Sequence, residues 1–226
     1  MIYITGDTHG GIDMAKLDDD HFRAQFKLSK ADYVIIAGDF GFIWQNNEKE
    51  KEWLSIFKEL PYTTLFIDGN HENFDLLRSY PEEEWSGGRI HRIHDSLFHL
   101  ERGQVFSIDG KTIFTFGGGK STDRAFRRPY ISWWPDEMPS SAEYQEGLRN
   151  LERYNWKIDY VITHAGPARV IETFHGSFSP DSLTTYLQAV AERLDFSRWY
   201  FGHYHLDRIV DTRYRVLYQS VIPLGE

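Results

Sequence analysis

The 226-residue chain has no cysteine, which excludes disulfide bonds, thiolate metal sites and thiol nucleophiles and favours a reducing compartment. It also lacks any apolar run close to the ~20 residues that a membrane-spanning helix needs. The first apolar run begins at Met1 and leads within a few residues to polar side chains, which leaves no space for a signal peptide. We therefore expect a cytoplasmic protein with no membrane partner.

Basic residues are in the minority, because 25 Lys and Arg stand against 34 Asp and Glu for a net charge of −9. With no basic run, wholesale electrostatic binding to nucleic acid or to an anionic membrane is not indicated. The hydrophobic share of 41% is typical of a globular protein. The length fits one domain over residues 1–226, with a long loop at about 117–140 that we place next to the functional site.

Short apolar runs that end in turns are typical of buried strands. They cover residues 1–5, 33–37, 64–67, 160–163 and 199–201. Helical patterns cover residues 17–28, 48–60, 73–78 and 182–194. A further helix should begin after Ser140, because Glu143 stands at the capping-box spacing. Residues 80–88 have the composition of a loop, and we assign the acidic triplet at 82–84 to solvent.

Two hairpins are predicted between these helices and strands. Asp109-Gly110, between apolar runs at 104–108 and 112–116, is a strong two-residue hairpin signal. A second hairpin should join residues 208–211 to 214–218. Antiparallel hairpins among helix-connected strands favour an α/β sandwich of two mixed sheets over a purely parallel doubly wound sheet.

Polar side chains follow five of the predicted strands at the point where each strand ends. Since open α/β sheets keep their chemistry at carboxyl strand ends, we expect these residues to form one site. Taken alone, an Asp after a strand is also a common turn or cap residue, and a loop histidine can be incidental. The shared placement favours metal ligands instead, with His71 as a proton donor beside the ligand Asn70. The residues are Asp7, His9, Asp39, Asn70, His71, His164, His203 and His205.

Three other histidines, His91, His94 and His99, follow no such turn, and we expect them to be ordinary surface or strand-face residues. The glycine-rich stretch at 117–122 ends in Lys-Ser-Thr but lacks the earlier glycine of a phosphate-binding P-loop. No helix pattern follows it. We therefore do not predict a P-loop.

The long segment that follows carries Arg124, Arg127 and Arg128 among tyrosine and tryptophan residues. Arginines beside aromatic rings can hold a substrate phosphate and stack on a planar group. Equally, the aromatic rings can pack the loop onto the domain and leave the arginines in solvent. The sequence does not separate these two interpretations.

The order Asp-x-His, Gly-Asp, Gly-Asn-His-Glu, Thr-His and Gly-His-x-His resembles the calcineurin-like metallophosphoesterase superfamily from Asp7 to His205. The resemblance implies a four-layer αββα sandwich of two mixed β-sheets flanked by helices. It also implies phosphoester hydrolysis, in which a hydroxide that bridges two divalent metal ions attacks phosphorus. Manganese is the first expectation for the metal, with iron, nickel and zinc as alternatives.

The resemblance also assigns roles to individual residues. The first metal would be held by Asp7, His9 and His205, and the second by Asn70, His164 and His203. Asp39 would bridge the two ions. His71 would donate a proton to the leaving oxygen, a contribution of typically ~10²–10⁴-fold.

One departure of this sequence from the family pattern narrows the range of expected substrates. Serine/threonine protein phosphatases that resemble this family have an Asp and an Arg where this chain has Phe42 and Ile43. The orienting partner of His71 could then be Asp68, Glu72 or a backbone carbonyl. We predict a phosphodiester or nucleotide-type substrate, including short nucleic acid. The alternatives are a phosphomonoesterase, a protein phosphatase, a nuclease and a non-catalytic scaffold.

Overall fold

The structure is a computed structural model that describes residues 1–226. The α-helices are α1 Glu48–Glu59, α2 Phe74–Leu77, α3 Ser141–Arg153, α4 Ala168–Glu172 and α5 Ser182–Arg193. The strands are β1 Ile2–Thr5, β2 Tyr33–Ile36, β3 Thr63–Phe66, β4 Glu82–Trp85, β5 Gly88–His94, β6 Leu97–Leu100, β7 Gln104–Ile108, β8 Lys111–Phe116, β9 Lys157–Thr163, β10 Asp195–Phe201, β11 Arg208–Ile209, β12 Tyr214–Val216 and β13 Ile222–Pro223.

These strands form two mixed sheets. The first has the order β13-β1-β2-β3-β6-β5-β4, and the second has the order β11-β12-β10-β9-β8-β7. Strands β1, β2, β3 and β6 run parallel, as do β8, β9, β10 and β12. The outer strands pair antiparallel. The predicted mixed two-sheet arrangement is confirmed.

The core lies between the two sheets, where Ile4 and Ile35 of the first sheet belong to one cluster with Ile113 and Ile162 of the second. Both faces of each sheet are apolar because the central strands are continuous apolar runs. Helix α1 covers the outer face of the first sheet, and helices α3 and α5 cover the outer face of the second. The layers are therefore αββα, as the resemblance implied.

The helix predicted over residues 17–28 is wrong. The chain forms two 3₁₀ segments instead, Met14–Leu17 and Arg23–Lys27. Between them the Asp18 carboxylate accepts the backbone N–H groups of Asp20 and His21 at 3.1 and 3.0 Å. Such a local side-chain bond competes with helix formation and breaks the predicted element.

The loop predicted over residues 80–88 is also wrong, because the acidic triplet lies in β4. This strand pairs antiparallel with β5 through the turn residues Ser86 and Gly87, which have φ values of 49° and 93°. Two successive positive φ angles are typical of a type I′ hairpin turn. β4 is the edge strand of its sheet, and charged side chains on an edge oppose pairing with other molecules.

Other local predictions are confirmed. Asp109 and Gly110 form the turn of the β7–β8 hairpin, with φ values of 51° and 70°. Ser140 and Glu143 form the capping box that begins α3. Strands β11 and β12 form the last predicted hairpin. None of the helices combines the length and the apolar composition that a membrane crossing requires.

Candidate metal centre

The carboxyl ends of β1, β2, β3, β9 and β10 lie at one edge of the sandwich. The loop that follows each strand delivers polar side chains to this edge, and the structure brings all seven predicted ligands together. They are Asp7, His9, Asp39, Asn70, His164, His203 and His205. Parallel strands in register explain this convergence, because their carboxyl ends share one edge of each sheet.

Asp39 is the central residue, and its side chain is almost fully buried. One carboxylate oxygen, Oδ2, lies 3.2 Å from His9 Nε2. The other, Oδ1, lies 3.4 Å from His164 Nε2 and accepts the backbone N–H of His71 at 2.7 Å. The two oxygens of one carboxylate therefore face two different histidines.

The remaining side chains surround this centre on two sides. On the His9 side, Asp7 Oδ2 lies 3.3 Å from His205 Nε2, and one ligand atom from each of these three residues lies within 4.8 Å of the others. On the His164 side, its Nε2 lies 3.1 Å from Asn70 Oδ1. The His203 ring packs against the His164 ring at 4.9 Å between centroids.

Hydrogen bonds at the far side of two histidines set which nitrogen carries the proton. His9 Nδ1 donates to Asp13 Oδ2 at 2.7 Å, and His164 Nδ1 donates to the Ala37 carbonyl at 2.9 Å. In each neutral ring the Nε2 lone pair then points at an oxygen of Asp39. A proton or a metal ion must then lie between each Nε2 atom and the Asp39 oxygen that it faces, and the imidazole and carboxylate donors fit divalent metal ions.

Hydrogen bonds to the Asn70 Nδ2 atom fix the orientation of its amide group. Its Nδ2 donates to Ser121 Oγ at 3.1 Å, and Ser121 Oγ donates to Glu137 at 2.6 Å. This chain of hydrogen bonds leaves the Asn70 carbonyl oxygen directed towards His164. Sequence reasoning missed Asp13, Ser121 and Glu137, because single polar residues in irregular segments carry no pattern.

The electrostatics favour positive charge beside Asp39. Burial alone would lower the pKa of His164, but the Asp39 and Asp7 carboxylates raise it to about 10. Burial would raise the pKa of Asp39, but His164 and His9 hold it well below its ordinary value. Burial and then the charge of His164 lower the pKa of His203 to about 4, so the His203 imidazole is neutral at pH 7.

Four residues of the centre adopt left-handed backbone conformations that non-glycine residues rarely use. Each such position costs of order 1–3 kcal/mol and persists where the surrounding structure enforces it. Backbone bonds from Thr8 and His9 to the Asp39 carbonyl, at 3.1 and 2.8 Å, join two of the loops. The strained residues are His9, Asp39, His203 and His205, with φ values of 45°, 46°, 69° and 49°.

Neither carboxylate that could have oriented His71 makes a hydrogen bond to it. Glu72 is buried and accepts the backbone N–H groups of Phe40 and Gly41 at 2.8 and 3.4 Å, so it holds the turn that carries Asp39. Burial and the nearby Asp39 charge raise its pKa well above the ordinary value. Asp68 accepts two bonds from Arg102, at 2.9 and 2.6 Å.

The side chain that adjoins His71 is Arg127. Its Nη1 and Nη2 atoms lie 3.2 and 3.4 Å from the two ring nitrogens of His71. Arg127 is itself held by Asp123 at 2.8 Å and by the Ser132 carbonyl at 3.2 Å. Burial is the main cause that lowers the pKa of His71, and Arg127 adds to it while Asp39 opposes it.

The other two predicted arginines lie elsewhere. Arg124 Nε donates to the buried carboxylate of Glu137 at 2.7 Å, which connects it to the support behind Asn70. Arg128 is exposed. Of the three, the structure therefore places only Arg127 against a residue of the centre.

The glycine-rich stretch after β8 has a packing role that sequence reasoning missed. A Cβ atom on Gly119 would lie 3.0 Å from both Asn70 Oδ1 and His164 Cδ2. A side chain here would require Asn70 and His164 to shift, and glycine lets the backbone pass this close to the centre without such a shift. Only a three-residue 3₁₀ segment, Arg124–Phe126, follows the stretch, and no α-helix does, which agrees with the exclusion of a P-loop.

An open cleft of about 570 Å³ adjoins the centre. Asp39, Asn70, His71 and His203 line its floor, and three aromatic side chains line one wall. These are His175, Phe178 and Tyr204, whose ring centroids are 6.4 Å apart for His175 and Phe178 and 6.1 Å apart for His175 and Tyr204. The volume is in the usual range for small-molecule sites.

We expect the Asp68→Asn variant to be less stable than the native protein by about 3 kcal/mol at neutral pH, the lower end of the cost of breaking a buried ion pair, because the buried Arg102 then keeps only Glu143, at 3.3 Å, as a carboxylate partner. Arg102 and His99 overcome the effect of burial and lower the pKa of Asp68. This stabilisation is therefore present above the ordinary aspartate pKa and is lost as the pH falls below it. Urea unfolding at pH 7 and pH 3 measures both effects; equal stability of the two proteins at pH 7 would contradict the expectation.

Comparison with known proteins gives a family match and a structural match. The profile described as calcineurin-like phosphoesterase matches residues 1–207. Among solved structures, a Staphylococcus aureus protein assigned as a 5′-nucleotidase, in complex with alpha-ketoglutarate, aligns with a TM-score of 0.52 and 16% identity. The alignment covers 96% of this chain and 48% of that protein, so this chain spans about half its length. No match was found among curated proteins.

Proposed function

Because this chain belongs to the calcineurin-like phosphoesterase family, we propose that it hydrolyses phosphodiester bonds in nucleotide-type substrates at the centre around Asp39. Members of this family are metal-dependent phosphoesterases. The chain is therefore expected to use a divalent metal ion and a phosphoester substrate. The observation that carries the proposal is the position of Asp39, whose two oxygens face His9 and His164 at 3.2 and 3.4 Å. A carboxylate in this position can bridge two metal ions.

Each side of Asp39 offers one set of ligands. We assign one ion to Asp7, His9 and His205 and the second to Asn70, His164 and His203. Imidazole, carboxylate and amide oxygen suit borderline divalent ions, and we propose manganese first. Two such ions, when bound, lower the pKa of a water and neutralise charge on the phosphoryl oxygens.

His71 and Arg127 act on the substrate in this proposal. A phosphoryl group placed over Asp39 would meet the His71 ring, whose backbone is anchored to Asp39 at 2.7 Å. The substrate's negative charge favours the protonated imidazole, which can then give its proton to the leaving oxygen. Arg127, adjacent to the same ring, supplies charged donors for a phosphoryl oxygen and takes the place of the arginine absent at position 43.

The aromatic wall of the cleft supports a nucleotide-type substrate. Phe178 and Tyr204 are half-buried and His175 is exposed, so rings are available for a base to stack on. Stacking on an aromatic side chain contributes ~1–3 kcal/mol per base. The assignment of the S. aureus neighbour as a 5′-nucleotidase agrees with a nucleotide substrate, although such an enzyme cleaves a monoester and not a diester.

A protein phosphatase activity is not favoured. Phe42 and Ile43 occupy the positions of the expected Asp and Arg, and both are buried in the core cluster under α1. No other residue restores the Asp-to-His71 contact. The substrate must instead be recognised by the cleft, which takes a small molecule or a strand end.

A matched pair of chromogenic diesters tests the substrate class. Thymidine 5′-(p-nitrophenyl phosphate) and methyl p-nitrophenyl phosphate share the leaving group and the reacting phosphorus, and they differ in the nucleoside. With the manganese-loaded protein we expect KM to be about 5–150-fold lower for the nucleoside ester, as one stacked base predicts. Phe178→Ala should raise that KM alone, and Phe126→Ala, which replaces a ring that is 93% exposed, should not. Equal KM values for the two esters would contradict a nucleoside subsite.

We expect Arg127→Met to reduce kcat/KM for the diester by about 10–150-fold, because a hydrogen bond to a charged group contributes ~1.5–3 kcal/mol. Arg128→Met removes a neighbouring exposed guanidinium and is the matched control. Initial rates over a range of substrate concentration measure the effect. The role given to Arg127 fails if both variants retain native kcat/KM.

A further inference from the structure

A second group of metal-ligating side chains lies outside the Asp39 centre. Glu82 is on β4, His91 is on β5, and Glu101 directly follows β6. One ligand atom from each lies within 4.8 Å of the others, in a cavity of about 290 Å³. Glu82 and His91 are direct partners in the β4–β5 register, and His91 is the partner of His99 in the β5–β6 register.

A chain of hydrogen bonds determines the protonation of His91. His99 Nε2 donates to Asp68 Oδ1 at 3.2 Å, which leaves His99 Nδ1 as an acceptor in the neutral ring. His91 Nδ1 lies 3.0 Å from that atom and is the donor to it when His99 is neutral. The Nε2 atom of a neutral His91 therefore carries a lone pair.

That lone pair has no hydrogen-bond partner although His91 is only 7% exposed. The nearest acidic atom is Glu101 Oε1 at 3.7 Å, beyond hydrogen-bond distance and itself an acceptor. The second oxygen of Glu101 accepts from Arg89 Nε at 3.0 Å. An imidazole nitrogen and a carboxylate oxygen thus line the same cavity with no proton between them.

The local charge leaves two carboxylates in excess. Each arginine that lines the cavity has a carboxylate partner other than Glu82 and Glu101. The pairs are Arg78 with Asp136 at 2.5 Å, Arg89 with Glu146 at 2.5 Å and Arg102 with Asp68 at 2.6 Å. Arg89 Nε also lies 3.0 Å from Glu101 and 3.7 Å from Glu82, so this one guanidinium is shared among three carboxylates. Glu82 and Glu101 contribute two negative charges beyond these pairs, which a divalent cation would balance.

We propose that Glu82, His91 and Glu101 bind one divalent cation at a site separate from the Asp39 centre. One imidazole and two carboxylates suit a borderline ion such as zinc or manganese. The cation would join the edge strand β4 to β5 and to the end of β6. This inference does not rest on the proposed function, because no residue of the Asp39 centre takes part.

The test is the number of zinc ions per chain after equilibrium dialysis, measured by elemental analysis on the full-length protein. We expect His91→Phe to bind one zinc fewer than the native protein, and Glu82→Gln to bind that zinc at least about tenfold more weakly. Glu82→Gln should fold normally because the Glu82 side chain is 59% exposed. His94→Phe is the matched control on the same strand and should bind the native number.

The comparison is a difference between variants, so it does not depend on how many ions the Asp39 centre takes. A ligand that binds only the folded state raises the melting temperature. Zinc should therefore raise the melting temperature of the single variant Asp39→Asn more than that of the double variant Asp39→Asn, Glu82→Gln. Native zinc numbers in both His91→Phe and Glu82→Gln, with equal melting shifts, would overturn the proposal.

Discussion

The Asp39→Asn variant should retain the fold, bind fewer than two divalent ions in the strand-end centre, and hydrolyse phosphodiesters on the order of 10³-fold more slowly. Asparagine keeps the left-handed backbone at φ 46° and can still accept the His71 N–H through Oδ1. It replaces the carboxylate oxygen that faces His9 with an amide, which is a poor bridging ligand. Loss of a metal pair removes several kcal/mol of transition-state stabilisation, and each 1.36 kcal/mol is a factor of ten.

The metal content and the steady-state rate, both measured on the same preparation, test this prediction. The matched control is Asp95→Asn, which makes the same chemical change at an exposed turn. The control should keep the native metal content and rate. An Asp39→Asn protein with native metal content and native turnover would show that Asp39 does not bridge the ions.

The second large effect is expected at His71. His71→Asn should slow the hydrolysis of a diester with an alkoxide leaving group by ~10²–10⁴-fold, the usual contribution of a general acid. The same variant should lose much less activity on a p-nitrophenyl ester, because p-nitrophenolate leaves without a proton. This dependence on the leaving group distinguishes proton donation from a general loss of structure.

The metal content of His71→Asn provides the control, and it should equal that of the native protein. His71 contacts Asp39 through its backbone N–H at 2.7 Å, a bond that the substitution keeps. An equal loss of activity on both esters, with native metal content, would assign His71 to substrate positioning instead of acid catalysis.

The sequence was sufficient to predict the αββα fold and the convergence of the seven ligand positions. The resemblance to the family implied the αββα layers, and the convergence follows from a physical rule: continuous apolar runs form buried parallel strands, so the residues after Ile4, Ile36 and Phe66 meet at one sheet edge. The β7–β8 hairpin was predictable because Asp109-Gly110 has a strong local conformational preference.

The hydrogen bonds that orient the predicted ligands could not be predicted in the same way. Asp13, Ser121 and Glu137 reach His9 and Asn70 through irregular segments, where spacing along the chain carries no information on direction. Arg127 and His71 are 56 residues apart in the sequence, and no spacing pattern predicts their contact. Such contacts depend on tertiary packing alone.

The region from β4 to β6 shows a different failure. The acidic triplet has the composition of a solvent loop, yet the Ser86-Gly87 turn folds it into a strand beside β5. His91 and His99 were expected to be ordinary surface or strand-face residues; they do lie on strand faces, but both are buried. Pairing between strands, which a single-sequence pattern does not report, brings Glu82 to His91. The cytoplasmic location and the preference for manganese stay predictions.

The most direct test of the central claim is kcat/KM of the manganese-loaded protein on bis-(p-nitrophenyl) phosphate against p-nitrophenyl phosphate, with metal-free protein measured in parallel. We predict that the diester is the better substrate, that metal-free protein is inactive on both, and that manganese restores the diester activity. A preference for the monoester would contradict the account, and so would diester hydrolysis that persists without metal.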